Sequence, residues 1–250
     1  MVFFTDLDNT LIYSYKHDIG EKKRNVELYQ GREISFMTEE SLSLLARVRE
    51  IMEVVPLSTR TREQYERIDM GLGAFKTALV SNGGVLLKNG ESDEEWYRES
   101  VELVKESNEE IAKGIAYLDK DKRRIFELRY IEKLFVFTKC DEPQNVVSDL
   151  KKILDETLVD VFNNGIKVYI VPKNLNKGAA LKRLMKRFPG ESSIAAGDSE
   201  FDISMLSAAD IALAPYGFKE KYGIDLKCEE MPEKRVFSES LLTEILKRSE

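Results

Sequence analysis

The chain has 250 residues, 33% charged and 42% hydrophobic, with a formal net charge of -7. That balance fits a soluble globular chain of one large or two modest domains. It argues against an electrostatic grip on nucleic acid, and no apolar stretch approaches the roughly 20 residues that cross a membrane. His17 is the only histidine, and Cys140 and Cys228 stand far apart, which argues against a multi-histidine metal centre or a histidine-based triad and suits a reducing, cytoplasmic setting.

The first ten residues, MVFFTDLDNT, run an apolar strand (Val2, Phe3, Phe4) directly into Asp6 and Asp8. Two carboxylates so close repel, and neither gains from apolar surroundings. Either they sit in a solvated loop or a cation belongs between them. The start lacks the basic segment and long apolar run of a signal peptide. His17 reads as an exposed loop residue. Residues 26–36 alternate around Gln30-Gly31 and predict a hairpin. A helix is expected over 38–52, with Thr38 as N-cap and Leu42, Leu45, Val48 and Met52 at helical spacing.

The next apolar run, Val54-Val55-Pro56-Leu57, ends in Ser58-Thr59-Arg60. A helix over 62–70 then stops at Gly71 and Gly73. A third run, Ala78-Leu79-Val80, ends in Ser81-Asn82-Gly83-Gly84. Strands and helices alternating in this way, with polar residues at the strand ends, predict a parallel α/β sheet, which binds ligands beyond the carboxyl ends of its strands.

Residues 85–172 break the rhythm. A charged helix is expected over 94–113, strands over 125–131 and 134–138, and a helix over 143–155. A hairpin then turns at Asn163-Asn164-Gly165 between strands at 159–162 and 166–171. This reads as an inserted α+β domain, with the parallel core formed by 1–84 and 173–250. The basic cluster of Lys120, Lys122, Arg123 and Arg124 alternates with acidic residues and reads as solvated surface. The core pattern resumes with a helix over 177–188, a strand over 193–196 ending in Gly197-Asp198, a helix over 201–208, a strand over 211–214 and a last helix over 238–247.

Side-by-side strands would gather Asp6, Asp8, Asp198 and Asp202 with Ser58 or Thr59 and Lys177. Oxygen-only ligands without histidine suit a hard cation such as Mg2+, which answers the question posed by the aspartate pair.

These residues also carry a family resemblance. DLDNT at 6–10, Ser58, Lys177 in NKGAAL and GDSEFD at 197–202 resemble, in order, the four motifs of the haloacid dehalogenase (HAD) superfamily. The insert and SNGG at 81–84 resemble its subfamily IIB, which includes Cof-type and sucrose-phosphatase-like enzymes. The resemblance implies a Rossmann-like parallel core with an inserted cap domain. It also implies a Mg2+-dependent phosphatase of a small phosphorylated metabolite, with a sugar phosphate among the candidates, working through an aspartyl phosphate. Asp6 would be the nucleophile and Asp8 the general acid and base. Ser58 and Lys177 would bind the phosphoryl group. Mg2+ would be held by Asp6, the Asp8 backbone carbonyl and Asp198, with Asp202 orienting Lys177 or reaching the metal through water.

Several readings stay open at this stage. Thr59 is the alternative to Ser58. Asn82 is either a turn residue or a substrate contact. Arg60 either contacts phosphate or merely starts a surface helix, and the second is favoured. The 26–36 hairpin is an ordinary surface element or a flap beside the site. Phe201 stands where subfamily IIB commonly has asparagine. A phosphomutase or phosphotransferase, or a non-catalytic binding module on the same fold, is the alternative function. No nucleic acid and no membrane is expected as a partner.

Overall fold

The computed structural model describes residues 1–233 and 235–249. It divides into two compact units, Met1–Asp93 with Lys177–Glu250, and Glu94–Asn176.

In the first unit, five parallel strands lie in the order Glu229–Met231, Ile211–Pro215, Ser193–Ala196, Val2–Thr5 and Glu53–Pro56. The sequence predicts four of these; the short edge strand, two glutamates and a methionine, carries no apolar signal. A parallel bridge from Leu57 to Leu79 continues the order to Thr77–Val80, which turns back antiparallel into Val85–Lys88 and Glu91–Ser92. Residues 85–92 therefore belong with the parallel unit, and the change of unit falls at Asp93 and Lys177 rather than near 84 and 172.

The sheet is buried on both faces, as parallel sheets are. Phe3, Val54, Ile194 and Leu213 pack into one core with Leu45 and Val48 of helix Glu39–Ile51 and Leu241 and Ile245 of helix Phe237–Ser249. Thr38 caps the first of these helices by accepting from the Ser41 N–H. Helices Lys177–Met185 and Ile203–Ala208 pack on each other, and the second also packs on strands Ser193–Ala196 and Ile211–Pro215. Their approach needs Gly178, since a Cβ there would stand 2.2 Å from the Ser204 carbonyl oxygen.

The expected helix over 62–70 is a single turn, Arg62–Tyr65, closed by a Thr61–Gln64 capping box. It stops because the following residues pair with the hairpin: the Asp69 N–H bonds the Val26 carbonyl, and Ile68 bridges Glu27. The hairpin itself is present as Lys23–Tyr29 and Arg32–Thr38, turning at Gln30 and Gly31, both at positive φ.

The second unit holds an antiparallel sheet in the order Val159–Asn164, Lys167–Pro172, Phe135–Lys139 and Arg129–Ile131. Its core joins Val136, Val161, Val168 and Ile170 to Ile111, Leu118, Val146 and Leu150 of the helices. The helix expected over 94–113 is two, Glu94–Leu103 and Asn108–Lys120, broken by a tight turn in which the Ser107 hydroxyl donates to the Leu158 carbonyl. The strand expected from 125 begins only at Arg129, because the Thr138 hydroxyl takes the carbonyls of Phe126 and Glu127 in place of a ladder. Arg123 and Arg124 are half-buried rather than solvated, and Arg123 bonds Asp121, Asp149 and Tyr117. No helix among the described residues is long and apolar enough to cross a membrane.

Candidate active site

The central strand Val2–Thr5 places Asp6 just past its carboxyl end, with the Asp6 N–H still bonded to the Ala196 carbonyl of the neighbouring strand. The chain then coils tightly, the Leu7 carbonyl accepting from Thr10, Leu11 and Ile12, with Asn9 at φ 60°. This turn sends the side chains of Asp6 and Asp8 to different partners.

Asp6 meets Lys177, the first residue of its helix. The fully buried ammonium donates at 2.5 Å to Asp6 Oδ1 and at 2.5 Å to Asp202 Oδ1. The other oxygen of Asp202 accepts from the Asp198 N–H (3.1 Å), the Ser199 N–H (3.0 Å) and the Ser199 hydroxyl (2.7 Å). The loop can curl this tightly only because residue 197 is glycine: a Cβ there would lie 2.3 Å from the Asp202 Cβ. Asp198 accepts from the Thr10 hydroxyl at 3.3 Å. Carboxylate oxygens of Asp6, Asp198 and Asp202 lie within 4.8 Å of one another.

Three carboxylates, Asp6 and Asp202 buried and Asp198 half-buried, against one ammonium leave negative charge in excess. Burial, aided by the charges of Asp202 and Asp198, pushes the Asp6 carboxyl well up despite Lys177. Burial and the Asp202 charge push Asp198 up to about 6. Burial disfavours the Lys177 ammonium, but Asp202 and Asp6 more than offset this and hold it charged. Such an all-oxygen, over-charged pocket fits a small hard divalent cation.

Asp8 is turned away from this group. Arg60 Nε and Nη2 donate to its two oxygens, each at 2.7 Å. On its other edge Arg60 donates through Nη1 and Nη2 to Glu27 Oε1 (2.8 Å) and Oε2 (3.0 Å), and Nη1 also reaches the Gln64 carbonyl at 3.3 Å. The surface role favoured for Arg60 is thus replaced by a largely buried one. A phosphate contact finds no donor either, since these acceptors occupy all five N–H groups of the guanidinium.

Glu27 is the residue that sequence reasoning missed. Its side chain is fully buried and also accepts from the Ser35 hydroxyl at 2.6 Å and from Arg67 Nε at 3.2 Å. Strand alternation would expose either Val26 or Glu27, yet both are buried, because the pairing slips at a bulge on each side of Glu27.

Ser58 is buried, and its hydroxyl accepts from the Arg60 N–H at 3.1 Å, as a turn-forming serine does. Thr59 is half-buried beside it. Asn82 is buried at φ 59°, and its N–H bonds the Ser58 carbonyl at 3.0 Å, so the two strand ends are tied together. Gly83 is required there, since a Cβ would lie 2.3 Å from that of Ala180. His17 is exposed, its ring nitrogen 3.2 Å from the Ser14 hydroxyl. Phe201 is half-buried in the turn Glu200–Asp202.

The model of the haloacid dehalogenase-like hydrolase family matches residues 76–215, more than half of the chain. The chain belongs to the haloacid dehalogenase-like hydrolases. Asn82, Lys177, Asp198 and Asp202 lie inside the matched span; Asp6, Asp8 and Ser58 precede it and join the site through the strand order. A phosphoglycolate phosphatase of Sulfurisphaera tokodaii is 30% identical over 150 residues, which are 57% of this chain and 57% of that protein. The match thus spans little more than half of either. Two solved structures share the fold over nearly the whole chain. The sucrose-phosphatase of Synechocystis, in complex with sucrose and phosphate, is 17% identical, with a TM-score of 0.62, covering 99% of this chain and 97% of that one. A Thermoplasma acidophilum protein is 14% identical, with a TM-score of 0.64, covering 99% and 97%. The observed architecture, an α/β core with a Rossmann-like parallel sheet and an inserted α+β unit, is the one that the order of the motifs implies for the HAD fold.

Proposed function

We propose that this HAD-like hydrolase cleaves phosphate monoesters of small metabolites, with a sugar phosphate or a small phosphorylated acid as the substrate class. The observation that carries the reading is the buried Lys177 ammonium bridging Asp6 and Asp202 beside Asp198 at the strand ends. In this reading an Asp6 oxygen attacks phosphorus, the bond to the ester oxygen breaks, and the leaving oxygen takes a proton from Asp8. Water then attacks the aspartyl phosphate, giving its proton to Asp8 and freeing Asp6. Lys177 and Ser58 balance and orient the phosphoryl oxygens, and Asp202 fixes Lys177. Asp6 and Asp198, with the Asp8 carbonyl, are the residues to hold Mg2+, which when bound neutralises phosphate charge. The insert Glu94–Asn176 is assigned the role of the family's cap and of selecting the organic part of the substrate. The names of the similar phosphatases support the substrate class.

The test is release of inorganic phosphate from an aryl phosphate and from a panel of sugar phosphates and phosphorylated acids, with Mg2+ and with chelator. Metal-dependent release is expected from the wild type and none from Asp6→Asn. Release by the Asp6→Asn protein at the wild-type rate would remove Asp6 from its role, and no release from any ester by the wild type would remove the reading itself.

A further inference from the structure

We propose that Glu27 is a positioning residue for the reaction: it anchors Arg60, and through Arg60 it fixes where the Asp8 carboxyl group stands. The proposal rests on the phosphatase reading in one respect, the acid–base work of Asp8.

The geometry is that of a shared cation. One edge of the Arg60 guanidinium faces Asp8, and the other faces Glu27. A guanidinium paired bidentately with a carboxylate fixes the plane and place of that carboxylate. Held by Asp8 alone, a long, rotamer-rich arginine would swing and carry that carboxylate with it. Glu27 prevents this. Its carboxylate holds Arg60 by two bonds of its own, and the Gln64 carbonyl adds a third.

Glu27 is in turn held on every side. The Ser35 hydroxyl and Arg67 Nε bond its oxygens, its backbone carbonyl accepts from Asn25 Nδ2 at 3.1 Å, and the bulge aims its side chain inward. Burial opposes its charge, but the bonds from Arg60 and Ser35 outweigh this, and Glu27 stays a carboxylate. An anionic side chain with no exposed surface, delivered by a bulged hairpin rather than by a core strand, has no evident use in holding the hairpin that an apolar residue would not serve. Buried ion pairs add little net stability over apolar packing.

The test compares Glu27→Gln with wild type on an aryl phosphate, whose leaving group needs little protonation, and on an alkyl or sugar phosphate, whose leaving group needs much. The expected result is a kcat on the alkyl ester lowered about tenfold or more, with kcat on the aryl ester lowered less than about threefold and both KM values within about twofold. In Arg60→Lys the lysine cannot hold both carboxylates, so a similar selective loss is expected, and the double variant should lose no more than the worse single one. Equal loss on both esters, unchanged kcat, or additive losses would overturn the proposal. Should Glu27→Gln fail to fold, Ser35→Ala removes one bond to Glu27 without touching Arg60 and is expected to give the same pattern at smaller size; an equal loss on both esters there overturns it too. A crystal structure of Glu27→Gln provides a readout free of activity: Arg60 displaced from its place beside Asp8 by about 1 Å or more is expected, and an unmoved Arg60 overturns the proposal. A wild type inactive on every ester sinks the phosphatase reading, while the displacement of Arg60 still decides whether Glu27 positions it.

Discussion

Around Lys177, three carboxylates share one ammonium; around Arg60 and Arg67, two carboxylates share two guanidiniums. The first cluster is short of positive charge and has carboxyls pushed upward, so it is built to receive something. The second is balanced on its own residues, with Glu27 held below its ordinary range although burial opposes this. Charge excess marks where a cation and a phosphate would be handled, and charge balance marks where a side chain is held in place.

The most severe way to break this contrast is Asp6→Asn. It should lower phosphatase kcat by at least about a thousandfold while the protein stays folded, as shown by phosphate release beside circular dichroism. Lys177→Met should do the reverse to the energetics, leaving buried Asp6 and Asp202 without their counter-charge. A loss of about 3–5 kcal/mol in denaturant unfolding is expected, partly restored by millimolar Mg2+.

The two clusters should also answer pH in opposite senses. Asp198 has its carboxyl raised in the fold, to about 6, so its contribution to stability is present below pH 4 and disappears as pH rises through 6. In metal-free protein this amounts to about 2–3 kcal/mol. It should be absent from Asp198→Asn and reversed by Mg2+, which binds the deprotonated group. Glu27 has its carboxyl lowered, so its contribution is present above about pH 4.5 and disappears as pH falls through its depressed value in the fold. Unfolding of wild type, Asp198→Asn and Glu27→Gln from pH 3 to 8 separates the two; parallel profiles in both variants would contradict the contrast. The smallest effect should come from Phe201→Asn. For a half-buried side chain in a turn, a change within about 1 kcal/mol is expected, with kcat on aryl phosphate nearly unchanged. A large gain in turnover would instead show that Phe201 restrains the site.

The same contrast explains what was legible in the sequence. The first cluster could be read because Asp6 and Asp198 each follow an apolar run, and runs of the kind Val2-Phe3-Phe4 or Ile194-Ala195-Ala196 identify parallel strands whose ends converge. The position of Lys177 at a helix start added to that signal. The second cluster could not be read. Arg60 follows a strand and looks like a helix opener, and its partner lies 33 residues earlier on a strand whose alternation is broken by a bulge. No local pattern announces a bulge. Breaks made by distant side chains were equally hidden, as with Ser107 reaching Leu158 across the second unit, or Thr138 taking the Phe126 and Glu127 carbonyls.

The insertion of Glu94–Asn176 into the parallel unit has a consequence for the newborn chain. Strand Val2–Thr5 leaves the ribosome long before Ser193–Ala196, its neighbour in the sheet, exists. Asp6 likewise waits 171 residues for Lys177. At ordinary translation rates of 5–20 residues per second that is roughly 10–35 s. Over this interval the antiparallel unit, whose strands all come from residues 129–172, can be completed. The acidic cluster is assembled afterwards, so slow or interrupted synthesis would leave an apolar strand paired with Glu53–Pro56 on one edge and open on the other.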